Sequence, residues 1–163
     1  MITGESVEKA CSEVGEYSDE AMVGEFDRFF KQQPAICDFV VELTQESGPK
    51  IQELSLFLSY MVFKAMELGE FAVSSVTPAA VEAAYRESES WMEEVSHADG
   101  GELPSAIAES LQKETEPHLL RYVISELNEP LDDGKKLDEE KKGEVFFVLK
   151  TVISSLTGIR RDQ

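Results

Sequence analysis

Apolar residues recur at helical spacing along most of the chain. Between Pro49 and Gly69 they step by three and four residues and form one continuous seam, made of Ile51, Leu54, Leu58, Met61, Ala65 and Leu68. Other apolar residues cover further faces of the same stretch, which is typical of a helix buried among several others. We therefore expect this stretch to be the central helix of the fold.

A second seam lies near the end of the chain, after Asp138. Its apolar positions again step by three and four residues: Val145, Leu149, Val152, Leu156 and Ile159. The stretch VFFVLKTVI at 145–153 is rich in β-branched and aromatic residues, so a strand is an alternative there. The spacing and the uninterrupted length favour a helix, and nowhere does a sustained alternation of period two lie between turn signals.

Prolines and capping residues divide the chain into helices. Ser18, Thr77 and Asp138 precede apolar-periodic segments as N-cap residues do, and Pro34, Pro49, Pro78, Pro104 and Pro117 stand at first-turn positions. This punctuation predicts about eight helices with short connections. The fold class is therefore all-α, a compact multi-helix bundle, with residues 1–163 as a single domain.

Two proline-started segments resemble each other. PAICDFVVEL follows Gln33 and PHLLRYVISEL follows Glu116, and one inserted residue brings Glu42-Leu43 onto Glu126-Leu127. In both places a polar loop and a long hydrophobic helix follow. One interpretation is a duplicated helical-hairpin unit, over 18–69 and 104–158, arranged around a pseudo-two-fold axis. The other is that any two amphipathic helices started by proline look this alike.

Charge narrows the classes of partner. The 163 residues carry 15 Lys plus Arg against 33 Asp plus Glu, a formal net charge of -18. A nucleic-acid binder needs clustered cations, so we expect no nucleic-acid partner. The longest uncharged stretches, Leu54–Phe63 and Phe71–Val81, are shorter than the ~20 apolar residues of a membrane span. We therefore expect no membrane association through a spanning helix.

The first residues and the two cysteines bear on the compartment. The stretch MITGESVEKACSEVGEYSDE has neither the basic region nor the apolar region of a secretory signal. Cys11 and Cys37 are the only cysteines and both stand among apolar residues at helical spacing. Two cysteines do not make a disulfide framework, so we expect both to be core residues of a cytoplasmic protein.

Three residues are candidates for a metal site. Glu94 and His97 form an E-x-x-H pair, whose spacing places both side chains on one face of a helix, and His118 is the second histidine of the chain. His118 lacks the same motif, and His97 lies at a predicted helix end, where an imidazolium is stabilised by the helix dipole. We expect the helix-end role for His97, and Glu94, His97 and His118 stay as weak candidates for metal ligands.

Other chemistry has little support in the sequence. The loop Glu129–Glu140 has Gly and Glu where an EF-hand has them, but Leu131 stands at a ligand position and two lysines follow, so an ordinary polar turn is expected. No nucleophile elbow, C-x-x-C or phosphate loop occurs. We assign no catalytic residue and no cofactor. The segment Phe71–Val76 is unusually apolar for a connection, and it either extends the central helix, packs on the bundle or forms a contact patch.

These observations predict a non-catalytic protein–protein interaction or regulatory module. One alternative is a metal-binding bundle or enzyme that uses Glu94, His97 and His118. Another is an acidic mimic that sequesters basic partners, since the acids are spread over the surface. The expected partner is a protein, and association of the chain with itself is left open.

Overall fold

Helices account for all regular secondary structure in residues 2–69, 74–97, 116–131 and 134–161, the part of the chain that the computed structural model describes. The seven helices in these ranges pack into one compact bundle. They are α1 (Gly4–Gly15), α2 (Asp19–Gln32), α3 (Pro34–Thr44), α4 (Pro49–Leu68), α5 (Pro78–His97), α6 (Pro117–Leu127) and α7 (Glu139–Arg161). The all-α prediction is confirmed, and the short helix predicted after Pro104 lies outside the described residues.

The predicted caps begin the helices where the sequence placed them. The side chain of Ser18 accepts a hydrogen bond from the Ala21 amide at 3.1 Å. Thr77 accepts one from Ala80 at 3.1 Å, and Asp138 accepts one from Lys141 at 2.8 Å. Each cap satisfies an amide that has no partner inside its helix. Proline is the first residue of α3, α4 and α6, where its missing N–H costs nothing.

The two hydrophobic seams form the centre of the bundle. On α4, Leu58 is fully buried and Met61 and Ala65 nearly so, while Leu54 and Leu68 are half-buried against the core. On α7, the residues of the seam from Val145 to Leu156 are all buried, and the stretch at 145–153 is helical as predicted. The helices α4 and α7 contact each other, so the two seams meet in the core.

The prediction of burial is wrong for one of the two cysteines. Cys11 was expected in the core and is exposed, whereas Cys37 is buried as expected. The helix α1 buries only the narrow stripe Val7, Ala10 and Val14, and Cys11 lies at its edge. Phe30 and Leu43 are 40% and 38% exposed, because α2 and α3 also lie at the surface and each buries only part of its apolar positions.

The connection after α4 is described in part. The helix ends at Leu68, with Gly69 as its C-cap residue. Residues 74–77 are not helical, and the side chain of Val76 is buried in the core. Phe71 and Val73 lie outside the described residues. Within its described part, this connection therefore packs on the bundle.

The helix contacts follow a two-fold pattern. The helix α3 packs on α4, and α6 packs on α7. The helix α1 contacts α4 extensively and α6 less, whereas α5 contacts α7 extensively and α3 less. Exchanging α1 with α5, α3 with α6, and α4 with α7 therefore maps each of these contacts onto another one. Such a pattern is what a pseudo-two-fold axis between α4 and α7 would produce.

Burial follows the same exchange. Both α3 and α6 bury the second, third, sixth and tenth residues after their proline, namely Ile36, Cys37, Val40 and Thr44 in one and Leu119, Leu120, Val123 and Leu127 in the other. Thr44 thus corresponds to Leu127, so the two helices align along their whole length without an inserted residue. Leu43, which the sequence comparison aligned with Leu127, is exposed.

The helices α1 and α5 extend the correspondence. Both begin with the pattern T-x-x-x-V-E-x-A, at Thr3 and at Thr77. In both, the valine and the alanine of the pattern are buried. The helix α5, which contains Val81, therefore corresponds to α1, and α1 precedes the first of the two predicted units. The duplication itself stays a prediction, and with these helices its units would cover 2–69 and 76–161.

A buried polar residue precedes the proline of α3 and of α6. Gln33 has φ -129° and ψ 59°, and Glu116 has φ -130° and ψ 65°, so the two backbones have the same conformation. The Gln33 side chain accepts a hydrogen bond from the Val76 amide at 2.9 Å, just before α5. The Glu116 carboxylate accepts one from the Ile2 amide at 2.7 Å, just before α1. Each half of the chain thus holds the first residues of the other half.

Candidate functional site

An open groove lies between the end of α3, the middle of α5 and the start of α7. Its volume is about 720 Å³, and we call it the α3/α7 groove. Its apolar wall is formed by one exposed, three half-buried and one buried side chain: Leu43, Tyr85, Met92, Phe147 and Val148. Apolar side chains of a ligand can contact a wall of this kind in the folded protein, without a prior change in structure.

Aromatic contacts hold this wall in place. The ring of Tyr85 packs edge-on against Phe147, with 5.5 Å between the ring centroids, and against Phe39 at 6.0 Å. These three residues come from α5, α7 and α3, so the same cluster joins the three helices around the groove. Edge-to-face pairs of this geometry are favourable beyond their burial. The groove is therefore largely formed before any ligand binds.

The rim of the groove is acidic. Glu46, Glu139, Glu140 and Glu144 line it, together with one cation, Lys141. Lys141 lies 3.8 Å from Glu144, which also accepts a hydrogen bond from Ser47 at 3.0 Å. Glu46 and Glu140 are exposed. The lining carries more acids than bases, so its potential is negative and favours a cationic ligand.

A network of charged side chains joins α2 to α4. The guanidinium of Arg28 donates two hydrogen bonds to Glu67, at 2.8 and 2.7 Å, and one to Glu25 at 2.6 Å. Lys64 donates to Glu25 at 3.2 Å and lies over the ring of Tyr17, 5.7 Å from its centroid. The two glutamates are held by cations, which is the arrangement of a structural clamp and not of a general acid or base.

Glu25 is expected to make the stability of the protein sensitive to acid. Burial alone raises the pKa of its carboxyl, but the hydrogen bonds and charges of Arg28 and Lys64 outweigh this and lower the pKa from 4.5 to about 2. Since the pKa is lower in the folded state, the stabilisation is fully present above about pH 4.5 and is lost as the pH falls towards 2. Because the carboxyl is partly exposed and screened by solvent, this stabilisation is expected to be about 1–2 kcal/mol.

Urea unfolding of the protein and of Glu25→Gln across this pH range measures the effect. We expect the variant to be less stable by about 1–2 kcal/mol at neutral pH, and the difference to shrink as the pH falls towards 2. Asp27→Asn is the control, because its ion pair with Lys31 is mostly exposed and screened by solvent, so its loss should change stability little. A difference for Glu25→Gln that does not change with pH would contradict the assignment.

The predicted metal candidates lie on two helices. Glu94 is exposed in the last turns of α5. His118 is half-buried in the first turn of α6, and a Cβ atom added at Gly4 of α1 would lie 3.6 Å from its Nδ1. The side chain of His97 lies outside the described part. Among the residues that the structure describes, no three His, Cys, Asp or Glu side chains are placed to hold a metal ion. A site that includes His97 stays a prediction.

The groove and the clamp were not predicted from the sequence. The spacing of Glu25 and Arg28 on one helix could have indicated their ion pair. Glu67 lies on another helix, and no local pattern links it to Arg28. Likewise Leu43, Met92 and Phe147 each belong to an apolar stripe, and only the packing of their helices shows that the edges of these stripes form one surface.

Within the described ranges, none of the helices is long and apolar enough to cross a membrane. Comparison of the chain with protein-family models, with curated proteins and with solved structures found no match in any of the three.

Proposed function

We propose that this chain is a non-catalytic interaction module whose α3/α7 groove binds a basic, amphipathic helical segment of a partner protein. The observation that carries the proposal is an apolar wall beside an acidic rim in one preformed groove. Apolar side chains on one face of a helix would contact the wall, and lysines or arginines beside them would meet the rim. Grooves of this type are a common way to bind amphipathic helices.

The charge of the chain favours this occupant over a second copy of itself. A second copy would bring a further formal charge of -18 to the acidic rim. A basic segment is instead attracted to it from a distance, and its association is faster at low salt. We therefore propose a heterologous protein partner and not self-association.

We place this interaction in the cytoplasm. Burial, followed by the neighbouring charge of Asp38, raises the pKa of the Cys37 thiol to about 12, so this thiol resists ionisation. Cys11 is exposed and also has a raised pKa, first because of partial burial. Thiols of this kind are compatible with a reducing compartment, where cysteines are kept unpaired.

A model peptide can test the groove. We would use a labelled peptide of about 18 residues, five helical turns, with leucine on one face and lysine on the other. A scrambled peptide of the same composition serves as the comparison. Fluorescence anisotropy should show tighter binding of the amphipathic peptide by about tenfold or more, a difference of about 1.4 kcal/mol.

Two matched variants locate the site. Leu43→Glu places a charge in the wall of the α3/α7 groove and should weaken binding of the amphipathic peptide by about tenfold. Val23→Glu makes the same change in charge on α2, at a side chain that is 70% exposed and does not line the groove. It should leave the affinity within about twofold.

The same experiment separates the alternatives. Equal affinity for the two peptides, with no loss in Leu43→Glu, would reject the groove and favour an acidic mimic that binds by charge alone. Metal analysis of the purified protein tests the alternative hypothesis, a metal site built from Glu94, His97 and His118. Stoichiometric metal that is lost in His97→Ala would favour that hypothesis.

A further inference from the structure

A second groove lies between the start of α4 and the end of α6. It is lined by Glu53, Leu54, Phe57, Glu129, Pro130 and Leu131 among others, and we call it the α4/α6 groove. Its volume is about 380 Å³. The two-fold exchange of helices places the start of α4 where α7 starts, and the end of α6 where α3 ends. The α4/α6 groove therefore occupies the place that corresponds to the α3/α7 groove.

Three charged residues of each groove lie at corresponding positions. Glu129 follows α6 at the position where Glu46 follows α3, counted from the prolines that begin the helices. On the partner helix, Lys50 and Glu53 form a K-x-x-E pattern, as Lys141 and Glu144 do in the other groove. In both grooves, then, a single lysine and a preserved pair of glutamates stand at equivalent places.

One apolar residue of each groove also lies at a corresponding position. Phe57 takes the place of Val148, and both lie four residues after the glutamate of the K-x-x-E pattern. Phe57, Leu54 and Leu131 are half-buried, so their surfaces are partly open to a ligand. The floor of the α4/α6 groove is therefore apolar, and its rim is acidic.

We infer that the α4/α6 groove is a second docking site for the same class of basic amphipathic segment, so that one chain binds two such segments. This inference rests on the function proposed above. The acids Glu53, Glu126 and Glu129 stand against Lys50 in this groove, which favours a cationic occupant as in the first. Burial and the nearby charge of Glu129 raise the pKa of Glu126, so a cation bound beside it would relieve that repulsion.

The two sites differ in strength. Tyr85 and Met92 of α5 contribute to the wall of the α3/α7 groove. The α1 position that corresponds to Tyr85 is occupied by the smaller Cys11. Glu126 also replaces the apolar Leu43 of the first groove. The α4/α6 groove therefore offers less apolar surface, and its affinity is expected to be about tenfold or more lower.

Isothermal titration calorimetry with the leucine–lysine peptide tests the inference on the full chain. We expect two bound peptides for each chain, at a tighter and a weaker site. Glu46→Lys with Glu140→Lys should remove the tighter site, and Glu53→Lys with Glu129→Lys should remove the weaker one. The control is Glu16→Lys with Glu87→Lys, which makes the same change in charge outside both grooves and should keep two sites. All six glutamates are exposed, so these substitutions leave the core intact.

The outcomes distinguish the two proposals. A single bound peptide, lost in Glu46→Lys/Glu140→Lys and unaffected by Glu53→Lys/Glu129→Lys, would overturn the second site and leave the proposed function standing. No binding of the peptide at all would overturn both. Weakening of every variant to the same degree, including the control, would show that net charge and not either groove determines binding.

Discussion

Replacing Leu58 or Leu149 by alanine is expected to lower the free energy of unfolding by about 2–5 kcal/mol in each case. Both side chains are fully buried, one on α4 and one on α7. Each variant removes apolar contacts and leaves a cavity that the surrounding helices fill only in part. A loss of this size is a large share of the roughly 5–15 kcal/mol by which a domain is stable.

Urea or guanidinium unfolding, followed by circular dichroism, measures these losses. Val23→Ala on α2 is the control, because a side chain that is 70% exposed contributes less than about 0.5 kcal/mol. A loss below about 1 kcal/mol at both leucines would show that α4 and α7 do not form the core. A large loss at only one would show that the two seams are not equivalent.

The helices were predictable because their signals are local. Ser18, Thr77 and Asp138 cap the helices that follow them, and the interaction of each lies within three residues. Burial was predictable only for a helix with a wide apolar stripe, such as α4, because neighbouring helices must cover such a helix on several faces. At the edges of narrower stripes, Cys11 and Leu43 are exposed, since the neighbouring helix and not the stripe decides which edge is covered.

The candidate site was not predictable for a related reason. The α3/α7 groove joins residues from three helices, and the clamp joins Arg28 to a glutamate 39 residues away. Contacts between residues so far apart in the sequence depend on how the helices pack, and no single segment determines that packing. The resemblance between the segments that begin at Pro34 and Pro117 was the long-range signal that the sequence did contain. This resemblance was not recognised in α1 and α5, because these helices share only the short pattern around Thr3 and Thr77.

The pseudo-two-fold arrangement connects the fold to the proposed function. If the chain is a duplication, the two grooves are two copies of one surface, and they have diverged both where α1 and α5 differ and near the ends of α3 and α6. Both grooves keep one lysine and two glutamates at corresponding places, whereas most wall residues differ and Glu139 and Glu140 line the first groove alone among the two. A module of this kind would retain its preference for a basic segment in both grooves and differ in the shape of the side chains that each accepts.

Gln33→Ala is expected to destabilise the protein by about 2–4 kcal/mol, although it removes only one methylene group besides the amide. The Gln33 side chain is fully buried. It donates to the Ser74 carbonyl at 2.8 Å and accepts from the Val76 amide at 2.9 Å, which holds the first residues before α5 against α3. Val76 is itself buried, so its amide would be left without a partner and without water.

Chemical unfolding of Gln33→Ala beside Gln32→Ala isolates this effect, since Gln32 is the exposed neighbour of the same residue type and should change stability by less than about 0.5 kcal/mol. The two-fold relation adds a second comparison at Glu116, whose carboxylate accepts from Ile2. Glu116→Gln keeps an acceptor for that amide, so it should lose less stability than Glu116→Ala. Equal stability of Gln33→Ala and Gln32→Ala would contradict the role of Gln33 in joining the two halves of the chain.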